Sequence, residues 1–314
     1  MTALLEVRSL SKHYPARDRK GLVKAVNDVS LSLESGHTLG IVGESGCGKS
    51  TLARLILRLI EPTGGEILFD GENLLALDGA ALRRRRRDIQ IVFQDPYASL
   101  DPRMTVAAII SEPLDIHGIG ARSERKAKVL ELLDLVGLDR NAAAKYPHEF
   151  SGGQRQRIGI ARAISLEPRL VVLDEPVSAL DVSIQSQILN LLVDLRQRLK
   201  LSYIFISHDL SIVEHVSDEV AVMYLGRVVE YGSAERVFGS PLHPYTQALV
   251  SAVPEIDPGK KRLRIVLAGD PPNPENIPPG CPFHPRCPSA MASCRETRPA
   301  LKPVEGRAVA CHLY

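Results

Sequence analysis

Residues 43–51 read Gly43-Glu44-Ser45-Gly46-Cys47-Gly48-Lys49-Ser50-Thr51. Spaced glycines let the backbone curl so that N–H groups converge on phosphate oxygens at the positive end of a helix. Lys49 adds a point charge for the β- and γ-phosphates, and Ser50 offers a hydroxyl to magnesium. Downstream, the apolar run Leu170-Val171-Val172-Leu173 ends in two carboxylates, Asp174 and Glu175. Strand ends of this kind line a ligand crevice, so Asp174 suits magnesium and Glu175, one residue on, suits a general base for an attacking water. Ser151-Gly152-Gly153-Gln154-Arg155 opens a further helical stretch, and a serine and two glycines at a helix start form a second anion cradle. These residues bind a nucleoside triphosphate and can hydrolyse it. One nucleotide seldom needs two cradles, so the second is expected to close over the γ-phosphate held by a partner protomer.

The elements that must position these groups follow from hydrophobic patterning. Thr38–Val42 is an apolar run suited to a buried parallel strand, and Leu52–Ile60 has helical composition. Ile89–Phe93, Leu170–Asp174 and Tyr203–Ser207 read as further strands. Between the last two, Ile184, Ile188, Leu191, Leu192, Leu195 and Leu199 recur at helical spacing, as the crossover of a βαβ unit requires. Residues 219–232 read as a hairpin turning at Leu225-Gly226, and residues from about 100 to 165 carry helical patterns without a strong strand. The fold class expected is α/β: a mainly parallel core sheet, an antiparallel β edge and a helical insertion over about 97–165.

Composition sets the limits. The chain has 314 residues and a formal net charge of +2, which gives no electrostatic reason to expect nucleic acid as a partner. No apolar stretch approaches the roughly 18 residues of a membrane span, and the start from Met1 to Glu6 has no leader character, so a cytoplasmic location is expected. Fourteen of the 22 prolines lie after residue 240, and four of the five cysteines crowd the last 34 residues. That shift marks a boundary between a body over 1–235 and a loop-rich extension over 236–314. The run Arg83-Arg84-Arg85-Arg86-Arg87 reads as a solvated helix end before the strand at Ile89, with anionic lipid, membrane subunits or nucleic acid as the alternative contacts.

The phosphate loop, Ser151–Arg155, Asp174-Glu175, Ser178-Ala179-Leu180-Asp181 and His208 stand in the order and spacing that resemble ABC-transporter ATPases. The resemblance implies ATP and Mg2+ as ligands. By it, Tyr14 stacks on adenine, and Gly43, Ser45, Gly46, Cys47, Gly48, Lys49, Ser50 and Thr51 hold the phosphates. Gln94 touches magnesium and water and links the site to a membrane subunit. Ser151, Gly152, Gly153 and Gln154 contact ATP on the opposite protomer. Asp181 lies at the dimer seam, and His208 senses the γ-phosphate. The usual signature opens on Leu where this chain has Phe150, an apolar exchange. Catalysis is expected to rest on Lys49, Glu175 and His208, with Ser50, Gln94 and Asp174 around magnesium.

His243-Pro244-Tyr245-Thr246-Gln247-Ala248-Leu249, the proline-rich stretch to Pro279-Gly280 and the cysteines that follow resemble, over essentially the full length, ATP-binding subunits of bacterial dipeptide and oligopeptide importers. That resemblance implies two integral-membrane permease subunits, a second, non-identical ATPase in a heterodimer, an external peptide-binding protein acting indirectly, and a peripheral place on the cytoplasmic face of the inner membrane. The alternative is a soluble ABC-type ATPase acting on nucleic acid or ribosomes, which typically carries coiled-coil insertions or a second cassette, both absent here. Cys281, Cys287, Cys294 and Cys311 form no C-x-x-C pair. A 4Fe–4S cluster is the expectation, with zinc, free thiols or disulfides as alternatives and His284 and His312 as adjacent alternative ligands.

Overall fold

The structure is a computed structural model that describes residues 3–16, 21–253, 264–270 and 272–314. Met1, Thr2 and part of the proline-rich stretch (residues 254–263 and 271) lie outside the described residues.

In chain order the strands are β1 (Leu5–Pro15), β2 (Leu22–Leu33), β3 (Thr38–Val42), β4 (Gly64–Phe69), β5 (Glu72–Asn73), β6 (Ile89–Val92), β7 (Leu170–Asp174), β8 (Ser202–Ile206), β9 (Glu219–Tyr224), β10 (Arg227–Ser233), β11 (Lys302–Val304) and β12 (Arg307–Val309). The α-helices are α1 (Lys49–Ile56), α2 (Gly79–Arg85), α3 (Val106–His117), α4 (Arg122–Leu135), α5 (Gly152–Ile164), α6 (Val182–Leu199), α7 (Leu210–Val216), α8 (Ala234–Gly239), α9 (Pro244–Ser251) and α10 (Ser293–Glu296). They divide between two compact units, one of Met1–Leu75 with Ile206–Tyr314 and one of Ala76–Phe205.

In the first unit, β2-β1-β4-β5 form an antiparallel sheet. Sequence patterning alone did not resolve it, because bulges after Val7, Leu10 and Lys12 break the alternation that would mark β1. Its inner face carries Leu5, Val7, Leu10, Val26, Val29, Leu31 and Leu33, all buried. A second set of strands runs β11-β12-β10-β9-β3. Here β3 and β9 are parallel, whereas β9, β10, β12 and β11 pair antiparallel, so the core sheet is mixed. Three tight hairpins, at Asp70-Gly71, Leu225-Gly226 and Glu305-Gly306, have positive φ at both central residues. That is the twist-matched two-residue turn, and glycine carries its second position without strain. Helix α1 starts three residues earlier than its apolar run suggests and stops at Ile56, where Arg58 takes a left-handed conformation (φ 47°).

In the second unit the strand order is β8-β7-β6, with β6 parallel to β7. Every residue of β7 is buried, as a strand covered on both faces must be. Helix α5 packs on α3, α4 and α6, burying Ile158, Ile160, Ala161 and Ile164 against an aliphatic core that includes Val106, Ile109, Ile110, Leu132, Leu133, Ile188 and Leu192. Between residues 97 and 165 the described chain is helical or looped, with no strand. The arginine run closes α2, where cations meet the negative helix end. There Arg83 donates to the Ile116 carbonyl (2.7 Å) and Arg85 pairs with Asp88 (3.4 Å).

Candidate functional site

Strand β3 delivers the chain straight into the phosphate loop, and α1 leaves from it. The loop is wedged between neighbouring backbones. A Cβ on Gly43 would lie 2.2 Å from the Met223 carbonyl oxygen, and one on Gly48 would lie 2.1 Å from that of Ala25. At Gly48 the backbone is also left-handed (φ 107°), so no other residue fits this position. The β9–β10 turn buttresses the loop: Gly226 N–H donates to the Cys47 carbonyl and Asn27 N–H to the Gly226 carbonyl, each at 2.8 Å. Lys49 is buried and folds back over the loop, donating to the carbonyls of Gly43 (2.8 Å) and Glu44 (3.1 Å). No acidic residue occupies the first turn of α1. A glycine-built turn, an ammonium held across it and an uncompensated helix N-terminus together suit a polyphosphate. Cys47 is buried beneath the loop, and burial pushes its thiol pKa up against the opposing pull of Lys49.

Tyr14 stands at the end of β1, 36% exposed, with the Lys12 ammonium 5.0 Å from its ring centroid. The ring is part exposed, as a stacking platform requires. His208 follows β8 and is exposed. Its preceding residue, Ser207, donates its N–H to the Ile41 carbonyl (3.3 Å), which sets His208 beside the strand that feeds the loop. Asp209 then caps α7, accepting from Ser211 N–H (2.9 Å).

Gln94, the Ser151–Gln154 stretch, Asp174, Glu175 and Asp181 belong to the second unit. Asp174 is buried at the end of β7. Glu175 turns left-handed (φ 49°), a conformation that costs a non-glycine residue about 1–3 kcal/mol. Gln94 Nε2 donates to Glu175 Oε2 at 2.8 Å, so the carboxylate just after β7 and the amide two residues after β6 form one polar group. Asp174 and Gln94 supply oxygen donors of the kind magnesium takes. Ser151 caps α5 reciprocally: its N–H donates to Gln154 Oε1 (3.0 Å) and its hydroxyl accepts from Gln154 N–H (3.4 Å). The Arg155 guanidinium lies 4.0 Å from the Tyr97 ring centroid. Asp181 is the exposed first residue before α6, its side chain making no capping bond.

The cysteine expectation is corrected. Among the described residues, which include Cys281, Cys287, Cys294 and Cys311, no group of three or more His, Cys, Asp or Glu side chains is placed to hold a metal ion. The 4Fe–4S cluster, and zinc with it, therefore finds no site. Burial pushes Cys281 up to about 11 and also raises Cys287 and Cys311. The Cys294 sulfur instead accepts the Met291 N–H at 3.5 Å. Cys281 and Cys294 are buried, and Cys287 and Cys311 are half-buried.

Two contacts to the loop escaped sequence reasoning. The Tyr245 hydroxyl accepts the Glu44 N–H (2.9 Å), and Arg286 donates to both Glu44 carboxylate oxygens (2.8 and 3.0 Å). Tyr224, Tyr245, His243 and Phe283 pack ring against ring beneath them. The only sequence signal was the His243-Pro244-Tyr245 triplet. Arg286, more than 240 residues from Glu44, has no periodicity to mark it.

Comparisons agree with this geometry. Residues 26–178 match the ABC transporter family, and residues 229–294 match the C-terminal region of oligopeptide/dipeptide transporters. The chain is 53% identical to the dipeptide transport ATP-binding protein DppF of Escherichia coli over 98% of its own length and 93% of that protein's. It is also 53% identical to the oligopeptide transport ATP-binding protein AppF of Bacillus subtilis, over 99% and 97%. Among solved structures, the dimeric ATP-binding cassette MJ0796, in a post-hydrolysis state with ADP and Pi, is similar at a TM-score of 0.67 and 30% identity, covering 73% of this chain and 98% of that one. The cassette cbiO1 of Clostridium perfringens matches with the same score and identity over 76% and 92%. The chain belongs to the ABC transporter family, as an ATP-binding cassette that carries the oligopeptide/dipeptide transporter C-terminal region.

Proposed function

We propose that this chain is the ATP-hydrolysing subunit that powers import of dipeptides or oligopeptides through separate membrane permease subunits. The observation that carries the reading is full-length identity of 53% to dipeptide and oligopeptide transport ATP-binding proteins. No helix among the described residues is long and apolar enough to cross a membrane, and the reading assigns the passage to two permeases, with the peptide chosen by an external binding protein. The chain would sit against the cytoplasmic face of the membrane. It would pair with a second, non-identical ATPase, each ATP being held between the phosphate loop of one protomer and Ser151–Gln154 of the other. In this reading residues 1–235 are the cassette and 236–314 the extension. The alternative, action on nucleic acid or ribosomes, is not favoured by these relatives.

Each side chain then has a task. Tyr14 stacks on adenine. Gly43, Ser45, Gly46, Cys47, Gly48 and Thr51 shape the cradle, and Lys49 exchanges its loop carbonyls for phosphate oxygens. Ser50, Gln94 and Asp174 would hold magnesium, which when bound neutralises charge on the phosphates. Glu175 accepts the proton of the attacking water, with Gln94 holding its carboxylate. His208 and Asp181 report the state of the γ-phosphate to the seam. The test is deletion of the gene in its own host, followed by uptake of labelled dipeptides. Uptake should vanish and return with the parent gene but not with Glu175→Gln. Unchanged peptide uptake in the deletion strain would overturn the reading.

A further inference from the structure

Glu44 is held on three sides. Its N–H donates to the Tyr245 hydroxyl (2.9 Å), its carbonyl accepts from the Lys49 ammonium (3.1 Å), and its carboxylate takes both Arg286 nitrogens (2.8 and 3.0 Å). Tyr245 is fully buried and the Arg286 side chain is only 7% exposed, so neither contact is a surface coincidence. The bidentate pair holds the Arg286 pKa above that of an ordinary arginine. Arg286 and Tyr245 come from the part of the chain that follows the cassette strands, yet they end on the second residue of the phosphate loop.

That position matters electrostatically. A carboxylate next to Gly43 sits beside the place where a triphosphate binds, and an unpaired negative charge there repels it. Arg286 cancels that charge through two charge-assisted bonds, and the fork geometry also fixes the Glu44 backbone from which Lys49 hangs. We infer that Arg286 is a positioning residue for nucleotide binding: through Glu44 the C-terminal extension neutralises and sets the phosphate loop, and so tunes ATP affinity. Tyr245 holds the same residue from its backbone side. The extension is in this way a working part of the ATP site, and its detachment from Glu44 would lower affinity without touching the hydrolytic carboxylate. This inference rests on nucleotide binding at residues 43–51.

The experiment is titration of the full-length protein with a fluorescent ATP analogue, alongside KM and kcat for ATP. Arg286→Ala should weaken binding and raise KM by about tenfold, with kcat within about twofold of the parent. Glu44→Gln, which removes the offending charge, should bind at least as tightly as the parent. Combined with Arg286→Ala it should recover most of the lost affinity, and Arg286→Lys should fall between. If Arg286 only anchored the extension, Glu44→Gln would weaken binding as Arg286→Ala does and would rescue nothing; either result overturns the inference. Glu44→Gln leaves the extension intact, so it decides the matter even if Arg286→Ala does not fold. A parent that binds no nucleotide would overturn the ATP reading and this inference together; a parent that binds, without rescue, overturns the inference alone.

Discussion

Gln94 donates a 2.8 Å hydrogen bond from Nε2 to Glu175 Oε2, although 81 positions separate them. The amide orients the carboxylate without bringing a charge of its own. Glu175→Gln should therefore lower ATP turnover by about 10²–10⁴ while leaving nucleotide binding in place. Gln94→Glu makes the sharper test. Two carboxylates at this distance repel each other, so the pair should retain a proton to higher pH than the parent. With Glu175 as the proposed base, the acid limb of the pH–rate profile should shift upward. An unshifted profile would show that the two side chains part during turnover.

Helix α5 contains two glycines with opposite expected responses to alanine. A Cβ on Gly153 would lie 2.4 Å from Ile184 Cγ2 on α6, whereas one on Gly159 meets nothing within 4 Å. Gly159→Ala should stabilise by about 0.5–1 kcal/mol through helix propensity. Gly153→Ala should destabilise by about 1–3 kcal/mol through overpacking, and Ile184→Ala in the same chain should relieve part of that loss. Urea unfolding of the three variants beside the parent decides it.

His243 caps α9 by accepting the Tyr245 N–H on Nδ1 (3.0 Å). Burial pushes its pKa down to about 3. Around it lie the Phe283 ring, at 5.6 Å between centroids, and the Glu230 carboxylate, which accepts the His243 N–H (2.9 Å). In the unfolded chain the imidazole titrates near 6.5, so below that pH the unfolded state binds a proton that the folded state refuses. Stability from this residue is complete above about pH 6.5 and falls as pH drops towards 3. The loss should reach about 2 kcal/mol at pH 5. His243→Asn keeps a capping acceptor and should be less stable at pH 7, yet flatter from pH 7 to 5. Melting curves across that range measure the slope.

Glu230 is fully buried on β10 and is satisfied by the N–H groups of Leu242 and His243 (both 2.9 Å) and by Arg307 (3.5 Å). Arg307, from the last hairpin, also donates to the carbonyls of Arg236 (2.7 Å) and Ser240 (2.6 Å). Arg307→Met strands a buried carboxylate and should cost about 3–5 kcal/mol. Adding Glu230→Gln should give back a good part of this, which denaturant midpoints of the single and double variants would register.

Local chemistry was legible from the sequence because it lies in short, contiguous runs. The phosphate loop, the strand-end carboxylates, the Ser151 cap and the Leu225-Gly226 turn each declare themselves within a handful of residues, since glycine geometry, helix capping and strand burial act over that range. The βαβ crossover of α6 was legible for the same reason, its apolar stripe being continuous. Tertiary structure decided the rest. The bulged β1–β2 sheet has no clean alternation, and the Gln94–Glu175 bond joins positions that only folding brings within reach. The cysteines invited a metal by composition, but ligation depends on where folding places the sulfurs, which is not written in their spacing. Arg286 meets Glu44 across 242 positions, a pairing set by aromatic packing beneath the loop, which a linear pattern of residue types does not encode.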